Sequence, residues 1–383
     1  MNFDLTPDQE SARQRAYIFA QHHLVPQIDV LEREKGWFRH LLPEISSGGW
    51  MGINVPKEYG GGGEDSVACA LILEEMSAAW APCGMVMGVH LALFCDPLSW
   101  WGTSRQKELI LRPAAKGEKI GCCGSFRGES VHCLQASPEN DGERWLLNGV
   151  YHYVINGPYA DYMLVLAEEV SSSRAIAFVV PMDRSGITRG ETELSVGTQA
   201  EYFCSVSFKD CIVSADDQIC AIGNGEEVAR AIRDRDAIRI ACQAIGIART
   251  AMEHVISHTN KCPREIGGAS SEYQTVQFMI ANIAVGLDVA RLLVWKAALK
   301  KDQGSLFAEE SVVAKIYATD MVTRVVQQAL QVCGYFHSEE ASAVRRCERD
   351  ATITALQAGP VHIERLCLGR SPSLNKKTTA SVS

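Results

Sequence analysis

The sequence has no excess of basic residues: 37 Lys and Arg stand against 46 Asp and Glu, leaving 383 residues with a net charge of −9. Such a chain offers no positive field to a polyanion, so nucleic-acid binding is not expected. It contains no internal repeat and no low-complexity tract. It lacks an uninterrupted apolar run of bilayer-spanning length. Its first residues, Met1-Asn2-Phe3-Asp4-Leu5, carry neither a charged n-region nor an apolar h-region. A cytoplasmic protein without a membrane partner is the expectation. Cysteine is plentiful, at 14 residues, but forms no CxxC pair and no zinc spacing. These residues read as small core side chains in a reducing compartment. His22-His23 and the pair His254 and His258 have no third ligand nearby in sequence, so no metal site is expected.

What is present is a chain that is 46% hydrophobic and 22% charged, enough to bury a large core in two or three units. Thr6-Pro7-Asp8-Gln9 has the form of a capped helix start, and helical periodicity continues to about Arg33. Pro56-Lys57-Glu58-Tyr59 leads into Gly60 to Gly63. No GK[ST] follows that run and no strand pattern precedes it, so it reads as an inter-helix loop rather than a phosphate cradle. Helical patterns resume from Asp65 to about Leu111. After Gly117 the period changes, and Trp145 to Val154 around Asn148-Gly149 has the form of a β-hairpin. Short apolar runs follow at 162–167, 175–180 and 202–208. From Glu226 to about Gly369, four long helical segments suggest a bundle. The expected units are an N-terminal α-helical domain (1–118), a middle β domain (119–220), a C-terminal four-helix bundle (221–370) and a polar tail (371–383) expected to fray.

Helices, a small β domain and a four-helix bundle form the layout of the acyl-CoA dehydrogenase family, and the local text agrees. Pro56-Lys57-Glu58-Tyr59-Gly60-Gly61, Gly246 followed by Ala248 to Ala251, Tyr273-Gln274, Ala290-Arg291-Leu292-Leu293 and Arg349-Asp350-Ala351 resemble that family's motifs over roughly residues 3–370. The resemblance implies a mainly α fold with a central small β-barrel domain. It also implies FAD as cofactor, a homo-oligomer (dimer or tetramer) and oxidation of the Cα–Cβ bond of an acyl thioester. In that reaction a carboxylate removes the α-proton and flavin accepts the β-hydride.

The family's usual base lies in a Tyr-Glu-Gly-Thr segment, matched here by Gln357-Ala358-Gly359-Pro360, so Ala358 stands where the carboxylate would be. Ala cannot take a proton. A subset resembling isovaleryl-CoA dehydrogenases and oxidases of carrier-bound amino acids places its base on the first bundle helix, and that pattern lands on Asp236. The residues agree: Ile232, Asp236, Ile240, Ala244, Ile247 and Ala251 follow at helical spacing, so Asp236 interrupts an apolar stripe. It is either the general base or a carboxylate neutralised by Arg233 or Arg239. Asp234 falls where the family meets the pantetheine arm, and Ala358 and Gly359 fall at the substrate position.

By the same resemblance the flavin contacts are Cys123, Ser125, Phe126 and Ser130 in one segment, Tyr153 and Ile155 in a second, and Arg264, Gln274, Gln331 and Gly334 on or near the bundle helices. The pattern is worn. Glu129 puts a negative charge near the phosphates, the Ile155 side chain cannot donate, and Tyr335, Phe336 and His337 crowd a glycine-rich stretch. The expected function is flavin-dependent α,β-dehydrogenation of an acyl or aminoacyl thioester, on CoA or an acyl or peptidyl carrier protein, in a specialised biosynthetic pathway. The alternatives are changed chemistry on the same fold, either a flavin-dependent oxygenase or a redox-neutral thioester enzyme, and a flavin-free binding scaffold.

Overall fold

The computed structural model describes residues 4–32, 37–124, 134–139, 143–193, 203–220, 224–261, 274–334, 339–357, 359 and 361–370. Thirteen α-helices and seven strands appear among them. The N-terminal part holds α1 (Pro7–Phe19), α2 (Ile28–Leu31), α3 (Trp37–Ser47), α4 (Ser66–Ala79), α5 (Ala81–Val89), α6 (Asp96–Trp101), α7 (Ser104–Gln106) and α8 (Arg112–Ala115). The capping box at Thr6 forms as the sequence predicts. The Gln9 amide donates to Thr6 Oγ1 at 3.2 Å, and the Thr6 amide donates to Gln9 Oε1 at 3.0 Å. The helix does not run unbroken to Arg33, however. It ends at Phe19 and passes through a wide turn and a tight turn to α2, because Pro26 has no N–H to continue the ladder.

The glycine run is a packed loop. The Gly62 and Gly63 amides donate to the Gly52 and Val55 carbonyls, both at 2.9 Å, so those donors are not offered to a phosphate.

Seven strands follow: β1 (Gly121–Cys123), β2 (Leu134–Glu139), β3 (Arg144–Ile155), β4 (Tyr162–Glu169), β5 (Ala175–Pro181), β6 (Ile187–Glu193) and β7 (Phe203–Ser214). They form one mixed sheet in the order β1-β4-β2-β3-β7-β6, with β5 also paired to β4. Among the described residues no pairing joins β5 to β6. One face encloses a core of its own around Trp145, Tyr151, Phe178 and Phe208. The other, through Cys123, Leu164, Leu166 and Val179, packs on the helices.

Asn148-Gly149 is not a hairpin turn. β3 runs straight through it, and the pair forms a bulge where the register against β7 shifts between Leu147 and Gly149. The Asn148 side chain is used across the strands: Asp210 N donates to its Oδ1 at 2.8 Å, and its Nδ2 donates to Asp210 Oδ1 at 3.2 Å.

The C-terminal part holds α9 (Gly225–Lys261), α10 (Gln274–Asp302), α11 (Ala308–Cys333), α12 (Glu339–Leu356) and α13 (Val361–Gly369). α9 is the axis. It contacts α4, α5, β5, α10, α11 and α12, and its alanine face merges with the N-terminal helices into one core. Although the sequence lacks an uninterrupted spanning run, 81–101 and α10 are each long and apolar enough to cross a membrane. The first is core. α10 is interrupted by Asp288 and by Arg291, whose Nη2 donates to Glu74 Oε1 at 2.7 Å.

α4 and α9 approach so closely at Gly246 that an added Cβ would lie 2.6 Å from the Glu74 carbonyl oxygen and 2.7 Å from Ala78 N. Gly246→Ala is expected to destabilise the fold by about 1–3 kcal/mol in denaturant unfolding; an unchanged midpoint would contradict this helix contact.

Candidate active site

Asp236 lies where α9 passes between the sheet and the terminal segment. Its stripe neighbours Ile232, Ile240, Ala244, Ile247 and Ala251 are all buried, so the carboxylate does interrupt an apolar face. Its side chain keeps 13% exposure. The neutralising partner is Arg239, not the exposed Arg233: Arg239 Nε donates to Asp236 Oδ1 at 2.6 Å. The Arg239 guanidinium is itself buried, and spreads further. Nη1 donates to Gln243 Oε1 at 3.2 Å and Nη2 to Gln357 Oε1 at 2.7 Å. The Gln357 Nε2 donates in turn to Met85 Sδ at 3.1 Å.

Asp236 on α9 is tied through Arg239 to Gln357, the residue before Ala358. Ala358 itself lies outside the described residues. Gly359, between α12 and α13, has φ 101°, a conformation only glycine adopts without strain. Arg239 was visible in the sequence only as one of two possible partners; Gln243 and Gln357 carried no signal there beyond being amides.

Two further groups feel Asp236. Cys123, at the end of β1, is buried, and burial, then Cys122 and Asp236, push its thiol well above the ordinary range. Burial raises the Cys122 thiol as well, which disfavours the thiolate that a nucleophilic cysteine needs. Glu364 on α13 pairs with Lys315, which is wholly buried on α11. Burial raises the Glu364 carboxyl, Lys315 opposes the rise, and Asp236 adds to it.

Asp234 is not on the same side. Two residues of helix place it about 200° around α9 from Asp236. Burial raises its carboxyl to about 6 against the opposing pull of Arg233, Arg235 and Arg230. The adjacent Arg235 is buried, donates to Asp96 Oδ2 at 2.6 Å and lies within 6.0 Å of the Trp100, Trp101 and Phe307 rings. His90, also buried, is structural: it accepts from the Gly121 amide at 2.9 Å, and burial lowers it to about 4.

Of the expected flavin contacts, Ser125, Phe126, Ser130 and Arg264 lie outside the described residues, as do Glu129 and Tyr335 to His337. Tyr153 is 41% exposed, with its ring 5.8 Å from that of Phe203. Two positions on, Ile155 packs against both the main core and the core between sheet and helices. Gln274 and Gln331 are exposed on α10 and α11, and Gly334 ends α11 with φ 71°. An aromatic pair, an aliphatic side chain and two exposed amides are groups of the kinds that a flat ring system with polar edges accepts.

Comparison with known proteins finds the acyl-CoA dehydrogenase N-terminal, middle and C-terminal domain models matched over residues 6–118, 128–211 and 223–371. The mitochondrial short-chain specific acyl-CoA dehydrogenase of Mus musculus is 31% identical over 376 residues, covering 95% of this chain and 90% of that protein. The butyryl-CoA dehydrogenase structure from Megasphaera elsdenii superposes with a TM-score of 0.89 at 28% identity, covering 96% of this chain and 99% of that one. A prolyl acyl carrier protein oxidase structure shares the fold, with a TM-score of 0.87 at 21% identity over 96% and 99% of the two chains.

The raised Asp234 sets a pH dependence. Below about pH 4 the carboxyl is protonated folded and unfolded alike; as pH rises toward 6 the unfolded chain releases its proton while the folded chain retains it, so stability falls. Asp234→Asn is expected to gain about 1–3 kcal/mol at pH 7 and little at pH 4, measured by denaturant unfolding; a loss at pH 7 would mean that the Asp234 charge is stabilised.

Proposed function

Because this chain belongs to the acyl-CoA dehydrogenase family, whose members are flavin-dependent oxidoreductases, we propose that it dehydrogenates an acyl or aminoacyl thioester with Asp236 as the general base. The observation that carries this reading is the convergence of Asp236 and Gln357 on one buried arginine. A carboxylate with one oxygen held at 2.6 Å by Arg239 keeps a fixed direction for the other, which is what proton abstraction at Cα requires. The proton moves to Asp236, and the electron pair of the C–H bond passes toward the thioester carbonyl. FAD, when bound, supplies the acceptor for the hydride leaving Cβ. Tyr153 and Phe203 would wall its ring system, and Gln274 and Gln331 would bond its polar parts.

The specialised thioester is part of the same proposal. The family's usual base position, 358, carries Ala instead of a carboxylate. The accompanying wear in the flavin segments supports a substrate outside fatty-acid breakdown, delivered on a pantetheine arm of CoA or a carrier protein. A second copy of the chain completes the reading. Phe278, Val285, Leu292 and Leu299 of α10 recur every seven residues, all exposed, as in a helix–helix seam. Gln274 begins that helix, so covering the seam brings a cofactor contact to the interface.

Asp236→Asn is expected to lower turnover of the thioester by roughly 100- to 10,000-fold while leaving the visible flavin spectrum intact; wild-type turnover would remove Asp236 from the mechanism. Val285→Glu with Leu292→Glu is expected to reduce the sedimenting species to a single chain and weaken FAD retention. A wild-type protein that already sediments as one chain would contradict the seam.

A further inference from the structure

The wall behind Asp236 is unlike a hydrocarbon site. Arg239 reaches its partners by crossing α5 at Gly88, where an added Cβ would lie 2.6 Å from Arg239 Cγ and 2.7 Å from Cδ. The glycine is what lets the stem through. Beyond it the guanidinium is fastened at three points, to Asp236, Gln243 and Gln357, and Gln357 also holds Met85 of α5. The gap between α5 and α9 beside the base is therefore filled by a charged side chain and two amides. Its groups are already paired.

When Cα is presented to Asp236 it lies within a few bond lengths of Arg239, whose Nε is 2.6 Å from Oδ1, so an acyl group that extends toward α5 meets the guanidinium. A short group stops before this wall. A longer methylene chain has to displace the guanidinium from its acceptors, leaving buried polar groups unpaired, or bend away from it. Resting on the reading of Asp236 as base, we propose that Arg239, seated on Gly88 and fastened by Asp236, Gln243 and Gln357, is the specificity-determining residue that admits short acyl groups and shuts out long hydrocarbon chains.

Binding, measured independently of turnover, tests this. The probes are S-butyl- and S-octyl-pantetheine, thioethers that cannot be dehydrogenated, titrated calorimetrically into the FAD-loaded enzyme. In an open apolar site the octyl compound binds more tightly. Here the wild type is expected to favour the butyl compound, Arg239→Met to shift the ratio at least tenfold toward octyl, and Arg239→Lys to keep the short-chain preference. Gln357→Leu, which removes one acceptor without touching α9, is expected to shift the ratio the same way by less, and serves if Arg239→Met does not fold. An octyl preference in the wild type, or a ratio unmoved in both Arg239→Met and Gln357→Leu, would overturn the inference. If neither probe binds the wild type, the thioester reading fails and this inference with it.

Discussion

The fold depends on finding partners for the buried charges of α9. This 37-residue helix carries Arg235 and Arg239 into the interior and Arg249 to its edge, and each is answered from another part of the chain. Arg235 meets Asp96 of α6 at 2.6 Å, Arg239 meets Gln357 at the end of α12 at 2.7 Å, and Arg249 grips both oxygens of Glu75 on α4 at 2.7 and 2.6 Å. A buried charge left alone costs several kcal/mol. An arrangement that separated Arg235 from Asp96 or Arg249 from Glu75 would bear that cost, so these two pairs select how the C-terminal helices sit on the N-terminal ones.

The candidate active site grows from the same constraint. Asp236 is tolerable on a buried stripe because Arg239 neutralises it, and Arg239 is tolerable because Gln243 and Gln357 take its remaining directions. The Asp236 carboxylate is thus held by the interactions that hold the helices together. Position 358 carries Ala, and its neighbour Gln357 bonds the arginine that holds Asp236.

Much of the fold was legible in the sequence because its signals are local. The Thr6–Gln9 box, the glycine loop after Tyr59 and the periodicity of α9 to α12 each follow from short-range chemistry. Where a local signal failed, a distant partner had overridden it. Asn148-Gly149 has the composition of a turn, but Asp210 on β7 captures the Asn148 side chain, and the glycine serves a bulge. The site was half legible. The break in the apolar stripe pointed to Asp236, whereas the choice between Arg233 and Arg239 depends on where α5 and α12 pack. Counting along the chain sets Asp234 beside Asp236, though helix geometry turns it to the other side.

The central claim is that this chain oxidises a short thioester through a bound flavin with Asp236 taking the proton. Anaerobic titration of the purified, FAD-loaded protein with a short acyl thioester, followed in the visible spectrum, tests it most directly. The expected result is a yellow protein whose flavin absorbance bleaches on adding the thioester and recovers with an electron acceptor. A protein that takes up no FAD, or a flavin band that stays unbleached with every short acyl and aminoacyl thioester offered, would contradict it.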